Sequence, residues 1–272
     1  MSDIKSVVAR EDNGNIQITF TVPWNLIQKE QEETLKEYAK DVVIPGFRKG
    51  KAPYEKVKEK VSQEAIIQHS LSHILPKALS EVIKKDNLKI ALYPKYELIS
   101  AKENEDWQIR ANTCELPEVK LGNYKEKIKF TKDTKPEEKE QIVIKVLLDN
   151  IKIDMAPILV EEEVNSRLTN LLARIEKLGL KLENYLSSVG KNPETLRQEY
   201  EQQAKESIAL DLILSKIAQE EKLKIDEKEV NEAFSVAQAS ANKDEDPIGR
   251  KIMIESILKK REALKFLINL PL

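Results

Sequence analysis

The sequence is poor in the residues that most often build disulfide, metal and nucleophilic sites. Its 272 residues include one cysteine, two histidines and seven glycines, and aromatic residues make up only 5%. The single cysteine, Cys114, excludes an internal disulfide framework and fits a reducing compartment. Few side chains are left for a metal centre or a nucleophile. These absences favour a protein that is not an enzyme.

Long apolar runs and nucleotide-binding motifs are also missing. No uninterrupted apolar run approaches the ~18 residues that a membrane helix needs, and residues 1–5 contain no apolar signal core. The patterns G-x-x-x-x-G-K-[ST], G-x-G-x-x-G and G-x-S-x-G do not occur. Charged residues make up 34% of the chain. The composition therefore predicts a soluble, helix-rich protein of the cytoplasm that has no membrane segment and uses no cofactor.

Positive charge is concentrated in one stretch of an otherwise nearly neutral chain. The formal net charge is −2, yet residues 46–60 carry six basic and two acidic residues. A local excess of this size marks a place where an anionic partner can bind. The alternative interpretation is a solvated helix face with its loop.

The first 115 residues show strand patterns at both ends and helix patterns between them. Apolar and polar side chains alternate over 16–22, and Asn13-Gly14 predicts a hairpin turn that pairs this strand with 6–10. Further elements are predicted as helices at 25–41, from about 54 and at about 62–86, and as strands at 92–99 and 107–114. Trp24 and Trp107 are expected in the core. Hairpin, helices and hairpin together predict an α+β domain over 1–115.

The remaining chain predicts a linker followed by a helical domain. Residues 116–135 are expected to form an extended linker, with Tyr124, Ile128 and Phe130 on one side as in a strand. Prolines and capping residues then mark helix starts at Pro136, Pro157, Asn192-Pro193, Asp226 (with Glu229 as a capping box) and Asp246-Pro247. The last helix carries Ile252, Ile257, Leu258, Leu264 and Leu267 as its apolar residues. We therefore expect an all-helical domain over 136–272.

The two histidines and the single cysteine are interpreted as structural residues. His69 and His73 lie four residues apart, a spacing that can hold zinc on one helix face. Ser70 follows His69 where a zinc protease has glutamate, and no third ligand lies nearby in the sequence, so no metal site is predicted. Cys114 has no adjacent histidine and is expected to be a buried, inert thiol.

The segment Gly46-Phe47-Arg48-Lys49-Gly50-Lys51-Ala52-Pro53 is the strongest candidate for a binding site. Its two glycines permit a tight tip, and Phe47 is too apolar for an exposed loop without a function. Arg48 can make bidentate contacts to carboxylate or phosphate groups, while Lys49 and Lys51 add less directional charge. An apolar anchor beside cations can supply useful binding energy from a small contact. The alternative is that Phe47 packs back against its own domain.

This octapeptide resembles the Gly-Phe-Arg-x-Gly-Lys-x-Pro signature of trigger factors, the bacterial chaperones that dock at the ribosomal tunnel exit. It matches the signature at every fixed position. The resemblance implies that Phe47, Arg48 and Lys49 contact the large ribosomal subunit. The implied ribosome-binding residues are Gly46, Phe47, Arg48, Lys49, Gly50 and Lys51. The second half of the chain is similar to the helical C-terminal domain, with protruding arms, on which this family holds unfolded chains.

One departure from the family pattern concerns the region between the two halves. Most trigger factors carry there a prolyl isomerase domain of the FK506-binding type, which needs on the order of 100 residues. Only a few residues separate Phe130 from the helix at Pro136. The resemblance thus implies an ATP-independent chaperone without the isomerase domain, whose partners are the ribosome and nascent or unfolded chains. Some members of the family also form homodimers when free.

Other functions stay open at the level of the sequence. One is a free-standing holdase, a chaperone that binds unfolded chains away from the ribosome. Another is a module that binds structured RNA through residues 48–60, and a third is a prolyl isomerase. No pattern in the chain identifies the client proteins or the helix faces that hold them.

Overall fold

The structure, a computed structural model, describes residues 4–48, 50–51, 53–130, 134–239 and 246–270. The chain divides into two compact units. Unit 1 comprises Met1–Leu116 with Ala156–Leu159, and unit 2 comprises Pro117–Met155 with Val160–Leu272. None of the helices in the described ranges combines the length and apolarity that a membrane span requires.

Unit 1 is built on a four-stranded antiparallel sheet with the strand order β1-β2-β4-β3. The strands are β1 (Lys5–Arg10), β2 (Asn15–Val22), β3 (Lys95–Ser100) and β4 (Trp107–Cys114). Every second side chain of β2 from Ile16 to Val22 is buried, which confirms the predicted alternation. β3 starts at Lys95, later than predicted, because Pro94 cannot donate a ladder hydrogen bond.

Three helices connect the two hairpins. They are α1 (Trp24–Asp41), α2 (Tyr54–Lys60) and α3 (Gln63–Asp86). Ser62 caps α3 by accepting a hydrogen bond from the Ala65 N–H at 3.2 Å. The main core joins the sheet to α3 and includes Phe20, Leu75, Leu79, Trp107 and Ile109. Trp107 is buried as expected, and Trp24 packs partly buried against this core.

Unit 2 consists of helices that pack around a separate core. Its helices are α4 (Tyr124–Lys127), α5 (Pro136–Asn150), α6 (Pro157–Lys177, of which the first three residues belong to unit 1), α7 (Leu182–Ser188), α8 (Pro193–Glu220), α9 (Glu227–Ala239) and α10 (Pro247–Ile268). The most deeply buried side chains come from α5, α8 and α10, and they are Val143, Leu147, Ile213, Ile217, Ala263 and Leu267. Antiparallel sheet followed by helices is the predicted fold class, which is confirmed.

The strand-like conformation predicted inside the linker 116–135 is wrong at residues 124–127, which form the helical turn α4. Tyr124 and Ile128 are both buried in the core of unit 2. They lie four residues apart, a spacing that puts two side chains on one face of a helix and also of a strand, so the sequence pattern did not distinguish the two. The Tyr124 hydroxyl also donates a hydrogen bond to Glu221 at 3.2 Å. Residues 131–133 of the predicted linker lie outside the described residues.

Two further details of unit 2 differ from the sequence prediction. The short helix α7 was not predicted, because its seven residues carry little periodic signal. The capping box predicted at Asp226 is incomplete. Asp226 accepts a hydrogen bond from the Lys228 N–H at 2.9 Å, whereas the Glu229 carboxylate contacts Arg261 of α10. Glu229 thus forms an ion pair with Arg261 instead of the local hydrogen bond that a capping box requires.

Candidate functional site

The basic segment forms a loop whose two ends are held by buried side chains. Ile44 precedes the loop and Val57 of α2 follows it, and both pack in one apolar cluster with Leu35 and Ile66. Every described residue from 45 to 53 is exposed. The loop is therefore exposed to solvent, while the residues on either side of it are anchored in an apolar cluster.

Two tight turns shape this loop. The Phe47 N–H donates to the Ile44 carbonyl at 3.1 Å, and the Lys51 N–H donates to the Arg48 carbonyl at 2.9 Å. Gly46 and Gly50 have φ values of +85° and +80°, a left-handed conformation that favours glycine. Nothing lies within 4 Å of a Cβ placed at either glycine. Glycine is therefore favoured at both positions by the backbone conformation and not by a lack of space for a side chain.

The side chains at the tip are free to meet a partner. Phe47 is 43% exposed, so its ring is not buried in the core of its own domain. Arg48 and Lys51 are exposed, and neither has an ion-pair partner among the residues that the structure describes. Lys49 lies outside the described residues. The loop thus offers an exposed apolar ring next to an exposed guanidinium group.

Helix α2 continues the positive charge beyond the loop. Lys56 is paired with Glu59 at 2.8 Å, but Lys58 and Lys60 are exposed and have no ion-pair partner within the described ranges. Both lysines lie in the last turn, where positive charge interacts favourably with the helix dipole. The cationic surface therefore extends from the loop along α2.

Helix α10 exposes apolar side chains that the sequence pattern could not separate from core residues. Ile248, Ile252, Met253 and Ile257 are between 50 and 72% exposed. Ile254 and Leu258 of the same helix are buried with Val230 of α9 in a small apolar cluster. Ile252 and Ile257 are thus surface residues, although the sequence places them with Leu258 in one apolar set. Exposed apolar groups at this density are a feature of binding surfaces.

A second apolar surface is a groove in unit 1. It has a volume of about 690 Å³ and lies between α3 and the sheet. Apolar and aromatic side chains form most of its lining, among them Leu71, Leu75, Tyr93, Tyr96 and Leu98. Both units therefore expose apolar surface.

The residues interpreted as structural have clear positions. Cys114 is buried, as predicted, and burial raises the pKa of its thiol to about 11. His69 and His73 are not isolated, because Glu37 and Glu30 of α1 face them across the helix pair. The expectation that no third ligand lies near the histidines is therefore wrong for the folded chain, because Glu37 lies next to His69. No sequence signal revealed Glu37, because it is 32 residues from His69.

Comparison with known proteins identifies the family. A family model for the bacterial trigger factor protein matches residues 4–147, and a model for the trigger factor C-terminus matches residues 124–269. The chain belongs to the trigger factor family. The two matches overlap, so no segment remains between them for the isomerase domain. The predicted lack of that domain between the two parts is confirmed.

Curated relatives match about half of the chain. The trigger factor of Streptococcus suis (strain 05ZYH33) is 32% identical over 141 residues, which cover 52% of this chain and 33% of the relative. The trigger factor of Streptococcus gordonii is 33% identical over 117 residues, covering 43% and 27%. The chain thus spans about a third or less of the length of these curated relatives.

A solved structure shares the fold of the whole chain. It comes from work on promiscuous substrate recognition in the folding and assembly activities of the trigger factor chaperone. The TM-score is 0.66 at 12% sequence identity, and the match covers 98% of this chain and 99% of that chain. The arrangement of an α+β part followed by helices is therefore the fold of a trigger factor chain.

Proposed function

We propose that this protein is an ATP-independent chaperone that docks beside the ribosomal tunnel exit and holds nascent or unfolded chains on apolar surfaces. The observation that carries the proposal is the exposed Phe47 next to Arg48, which has no ion-pair partner in the part of the chain that the structure describes. In this proposal residues 1–115 are the ribosome-binding domain, 116–135 the linker and 136–272 the chaperone domain. The protein acts in the cytoplasm, without a cofactor and without catalysis.

The geometry of the loop supports docking on a phosphate-rich partner. Its turns and its buried anchors Ile44 and Val57 order the backbone before binding, which lowers the entropic cost of association. Phe47 can enter an apolar pocket, and Arg48 can form a bidentate contact to a phosphate. Micromolar affinity corresponds to about −8 kcal/mol, a value within reach of one anchored loop.

The exposed face of α10 supports the holding of unfolded chains. Ile248, Ile252, Met253 and Ile257 present apolar groups that are already partly desolvated by their neighbours. Burial contributes about 25 cal/mol per Å², so patchy contacts over several hundred Å² hold a client weakly. Weak holding suits a chaperone without ATP, since clients must leave spontaneously.

Co-sedimentation with ribosomes tests the docking step. The variant Phe47→Ala/Arg48→Ala/Lys49→Ala should bind at least about 30-fold more weakly, since hot-spot side chains contribute about 2 kcal/mol or more. The matched control is Lys177→Ala/Leu178→Ala/Lys181→Ala. It also removes one exposed apolar side chain and two cations beside a glycine of positive φ, Gly179. The control should sediment like the wild type.

The alternatives give different results in the same experiment. A holdase that works away from the ribosome should show equal sedimentation for the wild type and the loop variant. An RNA-binding module should recover free structured RNA in a pull-down without ribosomes. If Arg48 and its neighbours meet two or three phosphates, the slope of log affinity against log salt should be about −2 to −3. A flat salt response contradicts phosphate contacts.

Suppression of aggregation tests the holding step separately. The variant Ile248→Ser/Ile252→Ser/Ile257→Ser should protect a chemically unfolded client about tenfold less well, because apolar contact area is lost. The control Ile248→Leu/Ile252→Leu/Ile257→Leu keeps the apolar area and should protect like the wild type. Equal protection by the serine variant contradicts a role for this face of α10. Ribosome binding should be unchanged in both variants.

A peptide isomerisation assay tests the absence of catalysis. We expect no acceleration of cis–trans exchange at a prolyl bond, because no isomerase domain lies between the two family matches. Clear acceleration by the purified protein contradicts the proposal that it is not an enzyme.

A further inference from the structure

Both histidines of the chain meet carboxylates of a neighbouring helix at one place in unit 1. The His69 Nε2–H donates a hydrogen bond to Glu37 Oε2 at 2.7 Å, and the two imidazole rings lie 4.8 Å apart between centroids. One potential ligand atom each from Glu37, His69 and His73 lies within 4.8 Å of the others. Glu30 Oε2 is 3.8 Å from His73 Nδ1. Within the described residues, this is the one group of His, Cys, Asp and Glu side chains gathered so closely.

A buried pair of hydroxyl groups fixes the register of the two helices that supply this group. Thr34 of α1 and Ser70 of α3 are both fully buried, and their side-chain oxygens are 3.1 Å apart. The Ser70 hydroxyl donates to the Ile66 carbonyl at 2.8 Å, so the Thr34 hydroxyl donates to Ser70. Unsatisfied buried hydroxyls are costly, which makes any sliding of α1 along α3 unfavourable. The carboxylates and the imidazoles are thus held opposite each other.

The group is open to solvent and contains an anionic side chain that can bind a cation. The side chains of His69, His73 and Glu37 are 36, 37 and 49% exposed, so an ion can enter and keep water ligands. Glu37 brings a carboxylate oxygen within 4.8 Å of a ring nitrogen of each histidine, so the group offers one anionic and two imidazole ligands.

We propose that Glu37, His69 and His73 form a binding site for a divalent transition-metal ion of the Zn²⁺ and Ni²⁺ class, with Glu30 next to it. Imidazole nitrogens and carboxylate oxygens are the ligands that these ions prefer. Ca²⁺ and Mg²⁺ prefer oxygen ligands only, and two histidines disfavour them. Metal–ligand bonds of about 2.0–2.2 Å place ligand atoms up to roughly 4.2 Å apart, so small side-chain rotations close the site. This inference does not depend on the proposed chaperone function.

A bound ion bridges α1 and α3 close to the base of the basic loop. The Tyr38 ring packs against His69 at 5.4 Å between centroids, and Tyr38 also contacts the apolar cluster of Ile44 and Val57. The ion therefore cross-links the two helices beside the anchors of the loop. Because it binds the folded state alone, it raises the melting temperature of unit 1.

Titration of the tag-free 272-residue chain with ZnCl₂ in a non-chelating buffer near pH 7.5 tests the site. We expect one Zn²⁺ per chain and at least tenfold weaker binding for His69→Gln, His73→Gln and Glu37→Gln. The matched control is Glu33→Gln, one turn earlier on α1, whose carboxylate pairs with Lys36. Wild-type affinity in the control and circular dichroism of every variant establish that the losses are local.

Imidazole NMR gives a readout that needs no variant, because the chain contains two histidines only. Zn²⁺ should shift the ring resonances of both histidines, because each ring becomes a metal ligand. Unshifted rings at about 1 mM Zn²⁺ and Ni²⁺ overturn the proposal. Wild-type affinity in a His69→Gln/His73→Gln variant also overturns it.

Discussion

Cys114 lies at the end of β4 with its thiol shielded from solvent. Burial raises its pKa to about 11 from an ordinary value near 9, because the thiolate is poorly solvated there. Thiolates, and not thiols, are the reactive species of cysteine. At neutral pH this side chain therefore acts as a small apolar residue of the sheet.

The stability of unit 1 should fall at alkaline pH for this reason. The raised pKa in the folded state means that Cys114 contributes stability below about pH 9, and this contribution is lost as the pH rises towards 11. Urea unfolding between pH 8 and 10.5 measures the loss. Cys114→Ala, which cannot ionise, should show a shallower decline over the same range. Equal slopes in the two proteins argue against the buried thiol as the cause.

Gly46 illustrates a residue whose backbone conformation matters more than its surroundings. An alanine at φ +85° costs about 1 kcal/mol relative to glycine, although nothing lies near its Cβ. We expect Gly46→Ala to weaken ribosome co-sedimentation by shifting the turn that carries Phe47. Gly179→Ala introduces similar strain at φ +70° in unit 2 and should leave co-sedimentation unchanged. A Gly46→Ala protein that sediments like the wild type contradicts a role for this turn.

At the scale of elements, the long helix α8 shows how a local cap supports a distant core. The Thr195 N–H donates to Asn192 Oδ1 at 2.8 Å, and the Asn192 N–H donates to Thr195 Oγ1 at 3.0 Å. These two bonds satisfy groups that a helix end leaves unpaired. The same helix places Ile213 and Ile217 in the core of unit 2, so the cap and the core depend on one element.

Removing the cap should therefore destabilise unit 2. We expect Asn192→Ala to lower the free energy of unfolding by about 1 kcal/mol, in the range of 0.5–2 found for such caps. Chemical denaturation followed by circular dichroism measures the change. Asn231→Ala, at an exposed position inside α9, removes an asparagine that caps nothing and should have no destabilising effect. Equal losses in both variants exclude the cap as the cause.

For the whole molecule, the division into two units implies two separable cores. The core of unit 1 centres on Phe20 and its neighbours in the sheet, and that of unit 2 on Ile213 and its neighbours in α5 and α10. Each core is built from side chains of its own unit. Loss of packing in one is therefore not expected to remove buried contacts from the other.

Calorimetry should distinguish the two cores. Phe20→Ala should destabilise unit 1 by about 3–5 kcal/mol, and Ile213→Ala should destabilise unit 2 by about 2–5 kcal/mol, because each leaves a cavity. We expect two thermal transitions in the wild type, of which each variant lowers one. A single transition that both variants shift equally indicates that the two units unfold together.

Much of the fold could be predicted from the sequence because its signals are local. The alternation from Ile16 to Val22 and the helix starts at Asn192-Pro193 and Asp246-Pro247 depend on neighbours within a few residues. The same holds for the glycines and the proline of the basic loop, whose turns need no distant partner. The motif of the proposed docking loop was therefore visible in the sequence, and the structure adds that Phe47 is exposed.

Other features were decided only when distant elements came together. The helical turn at 124–127 forms where Tyr124 and Ile128 reach the core of unit 2, which a short pattern cannot indicate. Ile252 and Leu258 look alike in the sequence, and only packing against α9 makes one a surface residue and the other a core residue. Glu37 meets His69 because two helices far apart in the chain lie side by side. Patterns along the chain report local geometry, whereas exposure and long-range partners depend on which faces the folded chain covers.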